Sequence, residues 1–414
     1  MMVDFGILIT HGTDTLSWTF SYLRYALKNL PCNVVLTGAQ IPMEALFSYS
    51  DGYANVKSSI LLLQKLLPPH ICVVFNYGKN VLSSRVDKIR KWNPVAFYGE
   101  ITARIEWGEF TFLDNRYSLK GDSSPLRRIY LVRTGGTIEM LWDAERAIYK
   151  PGGDSVAAYL ANSSEFRKNF KDLSTETIEP LRDSSDLTFQ DWEEIGKKVK
   201  QICINEKYKN ISLDTNFSDK IYLVHLTPFF KHEHYKKFFN TTGADGFIIF
   251  GYGAGNVNIQ EKSGYSILPF INECMSKEIP VVICSHVPLE IGDFEYECGY
   301  VPLEKGAIPA LDRPLPDAYV KLSYLMGHKE ALSNFAKKIG RTFLDVVRAS
   351  FVAGTKFRTH KAREKYLKLF NIPYSKTNYF IGEDFDAALE KIIPARKTCK
   401  RAFLSGGEHD KCSN

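Results

Sequence analysis

The stretch Phe5-Gly6-Ile7-Leu8-Ile9-Thr10-His11-Gly12-Thr13-Asp14-Thr15 decides how the rest of the chain is read. Phe5 to Ile9 is a short apolar run, the pattern of a buried strand. It ends in a glycine set among threonines, a histidine and an aspartate. Glycine lets a ligand approach the backbone. Threonine hydroxyls donate, accept or attack, and the Asp14 carboxylate can hold a cationic group. Two readings compete here: an active-site loop at a strand end, or a plain turn in which Asp14 or Thr15 caps a helix beginning near Leu16.

Working outward, strand-like and helix-like runs alternate. Leu16 to Lys28 has apolar residues at helical spacing, and Asn33 to Leu36 is a second strand ending in Thr37-Gly38-Ala39-Gln40. A loop over Ile41 to Ser50 leads to Asp51-Gly52, then a helix over Tyr53 to Leu66 and a strand over Ile71 to Phe75. This alternation predicts an α/β fold with a largely parallel sheet, whose ligands bind outside the carboxyl ends of the strands. Val81 to Phe112 reads as short strands and turns. Asn115 to Arg128, containing Gly121-Asp122-Ser123-Ser124-Pro125, reads as a linker. Ile129 to Val132 is a strand ending in Thr134-Gly135-Gly136-Thr137-Ile138. Glu139 to Gly153 has little periodicity and reads as a loop. Thr188 reads as a helix cap with Asp191 three residues on, ahead of an apolar face of Trp192, Ile195 and Val199. A second α/β segment starts at Lys220, with strands Ile221–Leu226, Gly246–Phe250 and Val281–Cys284. Its middle strand ends in Gly251-Tyr252-Gly253-Ala254-Gly255-Asn256. Beyond Tyr324 the pattern is mostly helical, with breaks at Gly354, Pro373 and Gly382.

At 414 residues two or three domains are expected, and 44% apolar with 24% charged residues is ordinary for a soluble globular protein. The net charge of +6 is uneven: from Lys329 on there are 18 Lys and Arg against 9 Asp and Glu. That excess reads as a solvated helical face, so nucleic acid is not an expected partner. The eight cysteines (32, 72, 203, 274, 284, 298, 399 and 412) show no C-x-x-C spacing, which argues against zinc and thioredoxin-type chemistry. The start lacks the pattern of a signal peptide, and no apolar run nears the roughly 18 residues that cross a membrane. A cytoplasmic protein without membrane contact is expected.

Thr137, after two glycines at a strand end, suits a nucleophilic hydroxyl beside amide groups that hold an oxyanion. The alternative is a turn or a phosphate cradle, although the G-K-[ST] ending of a P-loop is missing. Lys88, in Ser84-Arg85-Val86-Asp87-Lys88, is a candidate base, and the plain alternative is a solvated surface lysine. Two hydroxyls, a carboxylate and a lysine on one sheet edge suit acyl transfer from an amide.

The motifs T-H-G-T-D-T (Thr10–Thr15), T-G-A-Q-I-P (Thr37–Pro42), S-D-G-x-x-N (Ser50–Asn55), T-G-G-T-I (Thr134–Ile138), D-S-S-D-L-T (Asp183–Thr188) and G-Y-G-A-G-N (Gly251–Asn256) together resemble the type I, cytoplasmic-type L-asparaginases of the asparaginase/glutaminase family. The resemblance covers roughly residues 3 to 328. It implies a two-domain α/β fold with parallel sheets flanked by helices. It also implies hydrolysis of L-asparagine to L-aspartate and ammonia, without cofactor or metal, by a homodimer or homotetramer. Thr137 then resembles the nucleophile and Tyr149 the lid tyrosine that polarises it. Thr13, Lys88 and Asp14 resemble a second set in which Lys88 takes a proton from Thr13 and Asp14 orients Lys88. Gly12, Asp14, Ser184 and Ser185 would contact substrate, Asp14 at the ammonium and Ser184 at the α-carboxylate. Asn256 would complete a neighbouring subunit's site.

The order of the motifs departs from the family, in which T-G-G-T-I comes first and T-H-G-T-D-T follows D-S-S-D. A permuted amino-terminal domain is therefore expected at 1–204. It would comprise the T-H-G-T-D-T block (1–117), a linker (118–128) and the T-G-G-T-I block (129–204). A linker over 205–219, a carboxy-terminal domain over 220–328 and a helical basic tail over 329–414 would follow. Thr227-Pro228-Phe229 also departs from the family pattern, as does Cys284-Ser285-His286, where the family often has an effector site, so allostery by asparagine is not expected. Two alternatives stand beside an asparaginase: an amidohydrolase subunit of a tRNA-dependent amidotransferase, and an inactive binding protein. The permuted order makes one demand of the fold: the strand before Thr10 must lie near the strand before Thr134.

Overall fold

The computed structural model describes residues 3–44, 49–90, 93–106, 109–113, 118–119, 126–164, 166–235, 243–287, 294–353, 355 and 359–370. The chain divides into two compact units between residues 215 and 216. The first begins with β1 (Phe5–Thr10), α1 (Leu16–Ala26), β2 (Leu27–Lys28), β3 (Val34–Thr37), α2 (Asp51–Lys65), β4 (Leu66–Leu67) and β5 (Ile71–Phe75). β6 (Asn80–Lys88), β7 (Phe97–Glu106), β8 (Glu109–Phe112), β9 (Ser118–Leu119) and β10 (Leu126–Gly135) follow. The unit closes with β11 (Met140–Asp143), β12 (Ile148–Pro151), α3 (Ser155–Asn162), β13 (Phe170–Arg182), α4 (Phe189–Asn205) and β14 (Ser212–Leu213).

Its main sheet has the order β13-β10-β1-β3-β5-β6-β7-β8. The pairs from β13 to β5 are parallel and those from β5 to β8 antiparallel. Every residue of β1 is buried, because a parallel sheet is covered on both faces. Side chains alternate between the faces. Leu8 and Val35 join Val56, Ile60 and Leu63 of α2 in one core cluster. On that same face a side chain at Gly6 would come within 3.0 Å of Leu63. α1 packs on β3, β5 and β6. β1 lies directly between β10 and β3, with Thr10 opposite both Arg133 and Thr37. The strand before Thr10 is thus the immediate parallel neighbour of the strand before Thr134. Three of the polar loops leave the sheet at one level.

The S-D-G-x-x-N motif holds one of those loops in place. The buried Asp51 carboxylate accepts the backbone N–H of Gln40 (3.0 Å) and of Ile41 (3.1 Å). Asn55 donates to the Gly38 carbonyl (2.9 Å) and accepts from Gly78 N–H (2.7 Å). Asp51 and Asn55 are one helical turn apart at the start of α2, so one helix end anchors the loop after β3. At the start of α4 the Asp191 carboxylate accepts from Thr188 N–H (2.7 Å), as the cap pattern predicts.

The second unit contains β15 (Ile221–His225), β16 (Gly246–Gly251), α5 (Leu268–Ser276), β17 (Val281–Ser285), α6 (Glu297–Glu304), β18 (Ile308–Pro309), α7 (Leu315–Gly327), α8 (Lys329–Ile339), α9 (Phe343–Val352) and α10 (His360–Leu369). β15 to β18 form one parallel sheet in chain order. α7 packs on β15, β16 and β17, while α9 packs on α7, α8 and β18.

Several expectations are corrected. β6 and β7 are long antiparallel strands, not the expected short strands and turns, because bulges between them break the alternation that marks a strand. Residues 139–153 contain the β11–β12 hairpin. β13 gives no strand signal in the sequence because it is an edge strand with largely polar, exposed residues. β10 starts at Leu126, inside the expected linker, of which 120–125 lie outside the described residues. β14, inside the expected linker at 205–219, pairs with β2. α8 and α9 of the expected tail pack within the second unit, and 371–414 lie outside the described residues.

Asp51→Ala removes the acceptor of two buried backbone donors, which is expected to cost about 2–4 kcal/mol in the first unit. Hydrogen exchange at Gln40 and Ile41 should accelerate sharply in this variant. Unchanged exchange would remove Asp51 from this role.

Candidate active site

The site begins with two glycines that leave room for each other. Gly136 has φ +82°, and a Cβ there would lie 2.2 Å from Gly12 Cα. A Cβ at Gly12 would in turn lie 2.4 Å from Ser184 Oγ and 3.1 Å from Gly136 Cα. Only two residues without side chains bring these loops so close. Thr13 and Thr137 each stand one residue beyond this contact. Thr137 is half-buried and starts a short 3-10 turn, Thr137–Glu139. The Thr134 hydroxyl donates to the Thr10 carbonyl (2.9 Å), tying the ends of β10 and β1 together.

The third segment is the turn Ser184–Asp186 at the end of β13. Ser184 Oγ accepts the N–H of Asp14 (3.2 Å), and the Ser184 carbonyl accepts the Thr15 hydroxyl (2.7 Å). Thr15 thus stands at the start of α1 but spends its hydroxyl on Ser184 instead of capping the helix. The accepted N–H leaves the Ser184 proton free to be donated to an anion. The exposed Ser185 turns its hydroxyl toward Asp183 (3.2 Å), which caps the turn.

Lys88 lies at the end of β6, three places from β1 in the sheet, or roughly 14 Å at ordinary strand spacing. Its ammonium nevertheless donates to Thr13 Oγ1 (2.8 Å) and Asp14 Oδ1 (2.7 Å). A bulge aims it. Ser84 faces Glu100 and Asp87 faces Tyr98, so β6 takes three steps where β7 takes two. One extra residue inverts which face the later side chains occupy. Arg85 absorbs the kink at φ +54°. Its buried guanidinium donates to Ser84 Oγ (3.1 Å) and Glu100 Oε2 (2.8 Å), which closes the bulge.

His11 supports the same loop from below. It is fully buried, donating Nδ1–H to the Gly12 carbonyl (2.7 Å) while Nε2 meets the Thr19 hydroxyl (2.7 Å). A carbonyl can only accept, so the proton sits on Nδ1 and Nε2 receives the Thr19 O–H. Burial pushes the imidazole down to about 4 and keeps it neutral.

Gly12, Thr13, Asp14, Lys88 and Ser184 are therefore brought into direct contact, and Thr137 adjoins them through Gly136. Thr13 is buried, whereas the Asp14 side chain is 60% exposed and accessible to a ligand. Tyr149 lies on β12, where its ring packs edge-on against Trp142 (5.0 Å). Asn256 belongs to the second unit, where its backbone closes the Tyr252–Asn256 turn. Arg85 and His11 carry positioning roles that sequence reasoning missed. His11 stood inside a quoted motif, but its partner Thr19 is set by the helix that follows. Among the described residues no cluster of His, Cys, Asp or Glu could hold a metal ion, and no helix is long and apolar enough to cross a membrane.

Gly12→Ala and Gly136→Ala should each separate the loops, and kinetic assays on both variants should show activity lost by at least about a hundredfold. His11 gives a pH signature. The folded state binds its proton less readily than the unfolded chain, so stability present above pH 6.5 is lost as pH falls toward 4. The stability gap between the wild type and His11→Gln should narrow by about 3 kcal/mol over that window. A constant gap in urea unfolding at several pH values would contradict the buried neutral imidazole.

Comparison with known proteins places this arrangement. The family model for the asparaginase amino-terminal domain matches residues 4–112 and 128–211, and that for the glutaminase/asparaginase carboxy-terminal domain matches 220–338. L-asparaginase from Thermococcus kodakarensis is 25% identical over 346 residues, covering 83% of this chain and 76% of that protein. A solved structure of the thermostable L-asparaginase from that organism has a TM-score of 0.51 at 22% identity, over 82% of this chain and 75% of its own. A component of the glutamyl-tRNA(Gln) amidotransferase from Pyrococcus abyssi is 24% identical over 342 residues, 81% of this chain but 57% of that protein. A human 60 kDa lysophospholipase is 40% identical over 70 residues, 17% of this chain and 12% of its own length. With both domains of the family matched over most of its length, the chain is a member of the asparaginase family of amidohydrolases.

Proposed function

We propose that the protein is an L-asparaginase that releases ammonia from the side-chain amide of L-asparagine through a threonine nucleophile. The observation that carries this reading is the contact of Lys88 Nζ with Thr13 Oγ1 (2.8 Å) and Asp14 Oδ1 (2.7 Å), beside the loop that presents Thr137.

In this reading Thr137 Oγ attacks the amide carbon, and backbone N–H groups of the glycine-bearing loops steady the oxyanion. The carbon–nitrogen bond breaks, the amide nitrogen gains the proton of the attacking hydroxyl, and ammonia leaves. Tyr149 would polarise the Thr137 hydroxyl once the hairpin covers the site. Water then attacks the acyl-enzyme: with Lys88 in its amine form, Thr13 takes a proton from the water as it passes its own to Lys88, held in line by Asp14, and the ammonium so formed supplies the proton to the departing Thr137 oxygen. Breakage of the Thr137 ester gives L-aspartate. Exposed Asp14 takes the substrate ammonium. Ser184, with Ser185 beside it, takes the α-carboxylate, and Gly12 leaves room for the substrate backbone. Asn256 would serve a neighbouring subunit's site in a homodimer or homotetramer. A cytoplasmic setting accords with this chemistry. The permuted order of the amino-terminal domain remains part of the same reading, resting on T-H-G-T-D-T standing before T-G-G-T-I.

A second reading is an amidohydrolase subunit of a tRNA-dependent amidotransferase, favoured by the match to the Pyrococcus abyssi amidotransferase component across 81% of this chain. Purified protein should release ammonia from millimolar L-asparagine. Thr137→Ala should lower the rate by at least about a thousandfold, and Lys88→Met by about a hundredfold or more. Release only from L-glutamine, or only with tRNA present, would favour the second reading. No release from any of these substrates would defeat both.

A further inference from the structure

The hairpin β11–β12, which carries Tyr149, belongs to a two-stranded sheet separate from the main one. Two strands alone are marginally stable in water, so its position depends on what holds its feet. One foot is Glu139, the residue before β11, and the other is Gly153, just beyond β12. They are joined by Gly153 N–H donating to the Glu139 carbonyl (2.8 Å). A Cβ at Gly153 would lie 2.6 Å from that oxygen, so this foot closes only on glycine.

One side chain of the main sheet reaches both feet. Arg133, on β10 and opposite Thr10, donates Nε–H to Glu139 Oε1 (2.9 Å) and an Nη2 hydrogen to the Gly153 carbonyl. The Glu139 side chain is wholly buried, and Arg133 is 12% exposed. The carboxylate is two residues from Thr137 in the same 3-10 turn, yet it faces the sheet. Burial pushes its carboxyl up to about 7 against the opposing pull of Arg133. An acid placed there at such a cost calls for a purpose.

We propose that Arg133 and Glu139 form a clasp that fixes both feet of the hairpin to β10 and so limits where the hairpin can carry Tyr149. Both are positioning residues and neither touches substrate. The proposal rests on the roles given above to Thr137 and Tyr149, but its first readout does not. The hairpin tip is exposed and contains Arg146, so trypsin can cut between Arg146 and Ala147 when the hairpin lifts.

The test compares the wild type, Glu139→Gln and the double variant Arg133→Met with Glu139→Met, all as full chains. The double variant replaces a buried ion pair by apolar side chains of similar length, a change that folded cores tolerate. Circular dichroism checks that it folds, and mass spectrometry follows the Arg146–Ala147 bond relative to other tryptic sites. The double variant should be cut about tenfold faster there, with kcat for L-asparagine lowered at least tenfold and KM within threefold. Glu139→Gln keeps an acceptor for Arg133, and its cleavage should stay within twofold of the wild type. Cleavage of the folded double variant at the wild-type rate would overturn the clasp, whatever its activity. A wild type without amidase activity would instead defeat the proposed function, and cleavage would still decide the clasp.

Discussion

Everything at the site depends on the approach of two backbones, Gly12 against Gly136. A side chain on either would overlap main-chain atoms of the other loop or the Ser184 side chain. Parallel pairing of β1 with β10 makes this possible, because both strands end at one level and the Thr134 hydroxyl ties them. The two glycines then close the remaining gap. Thr13 and Thr137, more than a hundred residues apart in the chain, end up flanking one contact.

The polar groups of the site ride on rigid supports outside it. Asp51 and Asn55 hold the loop after β3 through its backbone. His11, kept neutral by burial, ties the loop after β1 to Thr19 on the first helix. The bulge at Arg85 turns Lys88 toward the loop three strands away. The ion pair of Arg133 with Glu139 holds the hairpin. In each case a buried polar group is held by one partner set, which restricts the loop to one geometry.

How much of this was legible follows from the kind of signal each feature leaves. The strands and helices of the first 75 residues were readable because both sides of a buried parallel strand are apolar and the helices keep one apolar face. The T-H-G-T-D-T and T-G-G-T-I blocks were readable as site loops because small, hydroxyl and acidic residues cluster at strand ends, whereas D-S-S-D was legible only through its resemblance to a family motif. β6 and β7 were obscured because bulges break the period of two, and β13 because an edge strand needs few apolar residues. The hairpin was hidden because its exposed strands carry no consistent alternation.

By itself, the sequence determined the fold class, since periodicity is a local property, and its motifs named the candidate site residues through their resemblance to a family. Only the tertiary structure decided that Lys88 meets Thr13 and Asp14, that Ser184 accepts the Asp14 N–H, and that Arg133 grips both feet of the hairpin. Those contacts join residues distant in the chain, and their existence depends on strand order, register and one extra residue in β6. None of these leaves a mark on the neighbouring residues in the sequence.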